Sequence, residues 1–218
     1  MKLSWCFLIF GIVSAVLFSA TYINLEVYAN GSILISILIL SFLGKGLENI
    51  KHITVLLFLM MAIEYVAVMY CLSLNSNGLP AFYTNNLIFG THLILDVTTL
   101  LLLKHRLRWS LRYIRLTNPE NWRAIYMTHA DPLLYAIFYG FIIVDLAALG
   151  ENIISNLEFL GVDENFAKQF WSWGLIYHNY EILKSILLSC VITTLLATIF
   201  VERQRPDATD EEELEQGS

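Results

Sequence analysis

The residues of this sequence best suited to chemistry are ionisable side chains placed inside long apolar stretches. Between Leu87 and Leu103 nearly every residue is apolar, yet His92 and Asp96 stand four positions apart near the middle. Residues at i and i+4 share one face of a helix, so we expect the imidazole and the carboxylate to lie together. Glu64 interrupts the preceding apolar stretch in the same way. An imidazole between two carboxylates can take up and release a proton near neutral pH.

Counting along the two stretches predicts that these three residues lie at similar depth. Glu64 lies about ten residues into its stretch and His92 about eight into the next, at about 1.5 Å per residue. A charge at bilayer depth costs several kcal/mol unless it faces protein or water, so each is a candidate functional residue. We therefore predict one polar cluster of Glu64, His92 and Asp96 that lines a pathway for protons or a small cation. The alternative is a structural role, in which the groups only hydrogen-bond helices together.

A second group of charges follows the same logic near the end of the chain. Asp145 lies in the apolar stretch 132–150 and Lys184 in the stretch 182–201. Because the two positions have similar depth when counted from the same side, we predict an ion pair between Asp145 and Lys184. Glu181 stands one helical turn before Lys184 and is a second predicted partner of its ammonium group.

The composition indicates the class of protein that must position these groups. Hydrophobic residues make up 57% of the chain and charged residues 15%, which is too apolar for a soluble domain of 218 residues. We predict an all-α integral membrane protein with six transmembrane helices and short loops in one domain, residues 1–205. The predicted spans are about 3–23, 31–45, 54–74, 84–104, 132–151 and 180–202.

The distribution of basic residues predicts the orientation. Lysine and arginine collect in the connections after the second, fourth and sixth stretches, which places both termini in the cytoplasm of a cell with the chain in its inner membrane. The alternative for the first stretch is a cleaved signal peptide, since Val27-Tyr28-Ala29 would suit a signal peptidase. The acidic tail, 206–218, has no apolar periodicity and is expected to be disordered.

Two surfaces outside the apolar stretches could meet a partner. The basic stretch after the fourth span repeats arginine at helical spacing, and its candidate lipid or partner contacts are Arg106, Arg108, Arg112 and Arg115. The alternative function is therefore a non-transporting sensor, anchor or immunity-type module that engages a soluble cytoplasmic protein through this basic loop or the acidic tail. Because six short spans form a thin bundle, we also expect a homo-oligomer.

The connection between the fifth and sixth spans carries a group of aromatic residues. We interpret it as an interfacial anchor, with an outward binding surface as the alternative. Its members are Phe166, Phe170, Trp171, Trp173 and Tyr177.

Enzyme chemistry has little support in this sequence. It contains no HExxH, no Gly-rich phosphate loop, no nucleophile elbow and no CxxC motif. We expect no catalytic residues, no cofactor and no nucleic-acid partner. A metal ion on Glu64, His92 and Asp96 is left open, since carboxylate and imidazole suit zinc, iron or manganese. Asp131, directly before Pro132, is predicted to be a helix N-cap rather than part of a catalytic site.

Overall fold

The protein is a bundle of long helices joined by short turns. The computed structural model describes residue 6, residues 9–17, residue 20 and residues 26–204. All regular structure in these ranges is helical, and residues 9–17 form part of a helix ahead of the six numbered here. The numbered helices are α1 (Glu26–Leu43), α2 (Glu48–Ser76), α3 (Ala81–Thr117), α4 (Ala130–Ile154), α5 (Glu164–Ala167) and α6 (Leu175–Glu202).

Four helices are long and apolar enough to cross a membrane, namely α2, α3, α4 and α6. They correspond to the third to sixth predicted spans, and the all-helical structure agrees with the predicted class of α-helical membrane protein, whereas the predicted count of six spans is not confirmed. The second predicted span, 31–45, corresponds to the apolar part of α1, Gly31–Leu43, which is shorter than the roughly 20 residues that a bilayer core requires. The first predicted span lies partly, and the acidic tail wholly, outside the described residues.

The four long helices run antiparallel in chain order. Between α3 and α4, Arg106 contacts Asp131 near one end, while Asn86 accepts a hydrogen bond from Asn152 near the other. We call the end formed by residues 44–47 and 118–129 the basic end, and the end formed by residues 77–80 and 155–174 the aromatic end. α3 packs between α2 and α4, and α4 packs against α6, whereas α2 and α6 barely touch. α1 packs against both α2 and α6. Toward the aromatic end a space is left between α2 and α6.

A continuous apolar core fills the half of the bundle nearer the basic end. Its fully buried members come from all four long helices and include Ile53, Leu57, Leu103, Leu134 and Leu195. Lipid tails are as apolar as leucine, so this core is stabilised by close packing rather than by transfer out of water.

Two glycines allow the tight turn between α1 and α2. A Cβ added to Gly44 would lie 2.5 Å from Cγ2 of Ile50, so only glycine permits this approach of the two helices. Gly46 has a φ of +96°, a conformation that other residues rarely adopt.

The structure corrects one predicted surface contact. Arg106 does not face lipid or a partner, because its side chain is only 2% exposed. Its Nε and Nη2 atoms donate to the Asp131 carboxylate at 3.0 and 2.7 Å. Its Nη1 atom donates to Asn49 at 3.3 Å. Arg106 points away from the face that carries Arg108, because two positions along a helix differ by about 200° in direction.

Asp131 also differs from its predicted role as an N-cap. α4 begins one residue earlier, at Ala130, and Asp131 lies in its first turn. The carboxylate still accepts hydrogen bonds from the chain before the helix, from the Thr128 backbone N–H at 2.7 Å and the Thr128 hydroxyl at 3.0 Å. It thus stabilises the start of α4 while it neutralises Arg106.

Replacing Arg106 with methionine should destabilise the protein strongly. The substitution leaves the Asp131 carboxylate buried without its counter-charge, which lowers the free energy of unfolding by about 3–5 kcal/mol. Arg106→Met combined with Asp131→Leu should recover part of this loss. Unfolding in mixed detergent micelles, followed by circular dichroism, measures both. The control is Arg108→Met at an exposed position on the same helix, and equal effects of Arg106→Met and Arg108→Met would contradict the buried pair.

Candidate functional site

Lys184 on α6 lies at the centre of a buried group of carboxylates. Its Nζ atom is 2.8 Å from Oδ2 of Asp96, 3.3 Å from Oδ1 of Asp145 and 3.7 Å from Oε1 of Glu64. The sequence predicted two separate groups, one around Asp96 and one around Lys184. The structure brings them together into a single cluster, near the middle of the four long helices.

Two further side chains complete this cluster. Nδ1 of His92 hydrogen-bonds to Oε1 of Glu64, and the Tyr180 hydroxyl donates to Oδ1 of Asp145 at 2.8 Å. The ring centroids of His92 and Tyr180 are 5.8 Å apart. We call these six residues the Lys184 cluster: Glu64, His92, Asp96, Asp145, Tyr180 and Lys184. Because they come from α2, α3, α4 and α6, the cluster connects all four long helices.

Helical spacing explains how these residues reach the same point. His92 and Asp96 are four residues apart on α3, and Tyr180 and Lys184 are four apart on α6, so each pair shares a face. Sequence reasoning missed Tyr180, although its position one turn before Lys184 was a usable signal. A buried tyrosine hydroxyl usually finds a hydrogen-bond partner, and here the partner is Asp145.

A cavity of about 610 Å³ extends from this cluster toward the aromatic end of the bundle. Its wall begins near the helix termini, at residues such as Leu72 and Tyr177, and extends inward to Asp96 and Lys184. It occupies the space between α2 and α6, and residues of α3 line the side between these two helices. Glu181, the second predicted partner of Lys184, is exposed and lies in the cavity wall.

The members of the cluster differ in how far they are accessible from this cavity. The Glu64 and His92 side chains are 19% and 13% exposed, whereas those of Asp96 and Asp145 are 4% and 0% exposed. Within the Lys184 cluster, Glu64 is therefore the carboxylate most available to a group that enters the cavity.

The charges of the cluster do not balance when its acids are ionised. Three carboxylates face one ammonium group and one imidazole, which leaves an excess of negative charge. Oδ2 of Asp145 is buried and has no hydrogen-bond partner, which is unusual for a native carboxylate. The arrangement can hold an additional cation, or accept a proton on one of its carboxylates.

The metal site left open by the sequence gains no support from this geometry. Within residues 26–204, no three His, Cys, Asp or Glu side chains are arranged to hold a metal ion. The Lys184 ammonium group occupies the position between Glu64 and Asp96 that such an ion would need.

The remaining predicted contact residues form a surface at the basic end. Arg108, Arg112 and Arg115 are exposed and border a shallow groove on α3, together with Leu111 and Leu116. This surface is separate from the Lys184 cluster, although both lie on α3.

Comparison with protein-family models, with curated proteins and with solved structures found no match. Fold and site together define the class: a helical membrane protein with a buried ionisable cluster at the inner end of a cavity.

Removing the Lys184 ammonium group should destabilise the protein. The second substitution that recovers more stability identifies the main partner of Lys184. Lys184→Met leaves buried carboxylates without a counter-charge, and we expect a loss of about 3–5 kcal/mol. Adding Asp96→Asn should recover more stability than adding Asp145→Asn, because Asp145 keeps the hydrogen bond from Tyr180. Thermal unfolding of the four proteins in one detergent measures the order.

The control is Lys168→Met, which removes an exposed lysine paired with Glu164 and should cost no more than about 1 kcal/mol. If neither second substitution recovers any stability, Lys184 is not the counter-charge of these acids.

Proposed function

We propose that the protein is a transporter that moves protons or a small cation across the membrane by way of the Lys184 cluster. The observation that carries this proposal is the cavity of about 610 Å³, which connects the aromatic end of the bundle with ionisable groups near mid-membrane. A cluster that only held helices together would need no such access. Intramembrane acids, histidines and lysines that face a cavity are typical of ion and proton pathways.

A transporter fits better than an open channel. Beyond the cluster, toward the basic end, the space between the helices is filled by apolar side chains such as Leu103, Leu134, Val191 and Leu195, each 0–1% exposed. An ion that reached Lys184 would meet this packed core. Passage to the other side therefore requires a change of conformation, as in alternating access.

The orientation assigned to this transporter follows from its basic residues. With the basic end in the cytoplasm of a cell and the chain in its inner membrane, the cavity opens outward. In this proposal the chain has six spans with both termini in the cytoplasm and assembles as a homo-oligomer. The segment of α1 from Gly31 to Leu43 is short for a span, and neighbouring subunits would shield it from lipid.

The second candidate is the non-transporting module that binds a soluble cytoplasmic protein. The observation in its favour is the exposed groove at Arg108, Arg112 and Arg115, which offers positive charge beside apolar side chains. Anionic lipid headgroups would satisfy the same surface, so the groove supports this function less directly than the cavity supports transport.

Flux through reconstituted protein tests the transport proposal. Wild-type protein in proteoliposomes should dissipate an imposed proton or sodium gradient, monitored with a pH-sensitive or sodium-sensitive dye. Glu64→Gln and Asp96→Asn should each reduce the flux at least about tenfold while the protein stays folded, because an amide keeps the shape and loses the charge. Glu120→Gln, an exposed acid at the basic end, is the control and should leave the flux unchanged.

Wild-type flux in both amide variants would contradict a pathway through the cluster. If the wild-type protein carries no flux, and a cytosolic protein co-purifies with it but not with an Arg108→Gln, Arg112→Gln and Arg115→Gln triple variant, the module is the correct function.

A further inference from the structure

We infer that the cavity binds an organic ammonium ion, a protonated amine with an apolar body. The ammonium group would lie at Glu64, and the body would pack against the wall toward the aromatic end. This inference names a class of ligand for the site described under the proposed function. It rests on the proposed function only in that both involve the Lys184 cluster.

The size of the cavity is the first argument. Small organic ligands occupy pockets of about 300–1,000 Å³, and this cavity holds about 610 Å³. A proton pathway needs only a chain of waters and polar side chains, and a bare metal ion needs far less room. The volume is therefore suited to a molecule of several to many non-hydrogen atoms.

The chemistry of the wall is the second argument. Much of it consists of aliphatic and thioether side chains of α2 and α3, namely Met61, Val68, Met69, Leu72 and Ile88. These groups offer nothing to an inorganic ion and favour contact with hydrocarbon. Ligand pockets typically combine such a wall with a few polar groups that fix the orientation of the ligand.

Aromatic rings face the cavity as well. The rings of Tyr65, Phe89, Tyr177 and Tyr180 belong to its wall. An ammonium group is attracted to the face of an aromatic ring within about 6 Å of the centroid. The protein's own ammonium group is already held in this manner, because Nζ of Lys184 lies 4.8 Å from the ring centroid of Phe141 and 5.8 Å from that of Tyr180.

The distribution of charge selects a cation and locates its binding position. Lys184 is held most closely by Asp96 and Asp145, at 2.8 and 3.3 Å, and lies farther from Glu64, at 3.7 Å. Glu64 is therefore the carboxylate that Lys184 compensates least, and it is also the most exposed of the three. His92, hydrogen-bonded to the same carboxylate, holds it in place for a ligand that arrives from the cavity.

The aromatic end supplies a polar boundary for the cavity. There Asn85 donates a hydrogen bond of 2.8 Å to the Tyr177 hydroxyl, which joins α3 to α6. A ligand that lies between this bond and Glu64 has its charged group deep in the protein and its apolar body along α2.

Calorimetric titration of the full chain in lipid nanodiscs tests this inference. Benzylamine is the probe, and benzyl alcohol, which has the same ring without the charge, is the matched control compound. We expect saturable binding of benzylamine and none of benzyl alcohol. Glu64→Gln should weaken benzylamine binding at least about tenfold, whereas Glu164→Gln, an exposed acid outside the cavity, should leave it unchanged. Failure of benzylamine to bind wild-type protein, or equal binding to Glu64→Gln, would overturn the inference.

A variant that fills the cavity tests whether the amine binds inside it. Val68→Phe places a ring in the apolar wall one turn from Glu64 and should abolish benzylamine binding. Val66→Phe makes the same change on a residue that is 66% exposed and should bind benzylamine like the wild type. Leu72→Phe replaces Val68→Phe if the latter does not fold.

Unchanged binding in the folded filling variant would place the amine outside the cavity and overturn the inference. Benzylamine binding that depends on Glu64 in a protein without flux would support the inference and remove only the transport proposal.

Discussion

The Lys184 ammonium group, held among three carboxylates at mid-height in the bundle, is the interaction on which the rest of the structure depends. A single charge in this low-dielectric environment is costly, so α2, α3, α4 and α6 must each turn an oppositely charged or hydrogen-bonding side chain toward one point. This requirement sets the rotation of every long helix about its own axis. The apolar face of each helix then follows, because the residues one and two turns closer to the basic end line up as the packed core.

The two halves of the bundle therefore differ in how their interior is filled. Near the basic end, leucine, isoleucine and valine side chains form a buried core, and the buried pair of Arg106 and Asp131 holds α3 to α4. Toward the aromatic end, α2 and α6 separate and leave a cavity whose wall mixes rings, thioethers and charged groups. The proposed transporter would use this asymmetry, because a site that is reached from one side at a time needs a closed half and an accessible half.

Sequence reasoning found the height of the ionisable groups but not their neighbours. Counting residues predicted one similar depth for Glu64, His92 and Asp96. It also predicted that Asp145 and Lys184 have the same depth as each other, because the rise per residue is nearly constant. Which helices pack side by side is a property of the whole bundle, so the approach of Lys184 to Asp96 could not be read from hydropathy. Arg106 was mistaken for a surface residue because basic residues near a span usually mark the cytoplasmic side, and only its pairing with α4 reveals the burial.

The length of α3 has a mechanical consequence. The sequence predicted a span that ends at residue 104, yet α3 continues without proline or break from Ala81 to Thr117. Asp96 and Arg115 therefore belong to one stiff rod and lie about 28 Å apart along its axis, at about 1.5 Å per residue. A tilt of ten degrees about Asp96 would swing Arg115 through roughly 5 Å on this lever arm. A change in the tilt of α3 at the Lys184 cluster would therefore also move the arginine-bearing tip of the same helix.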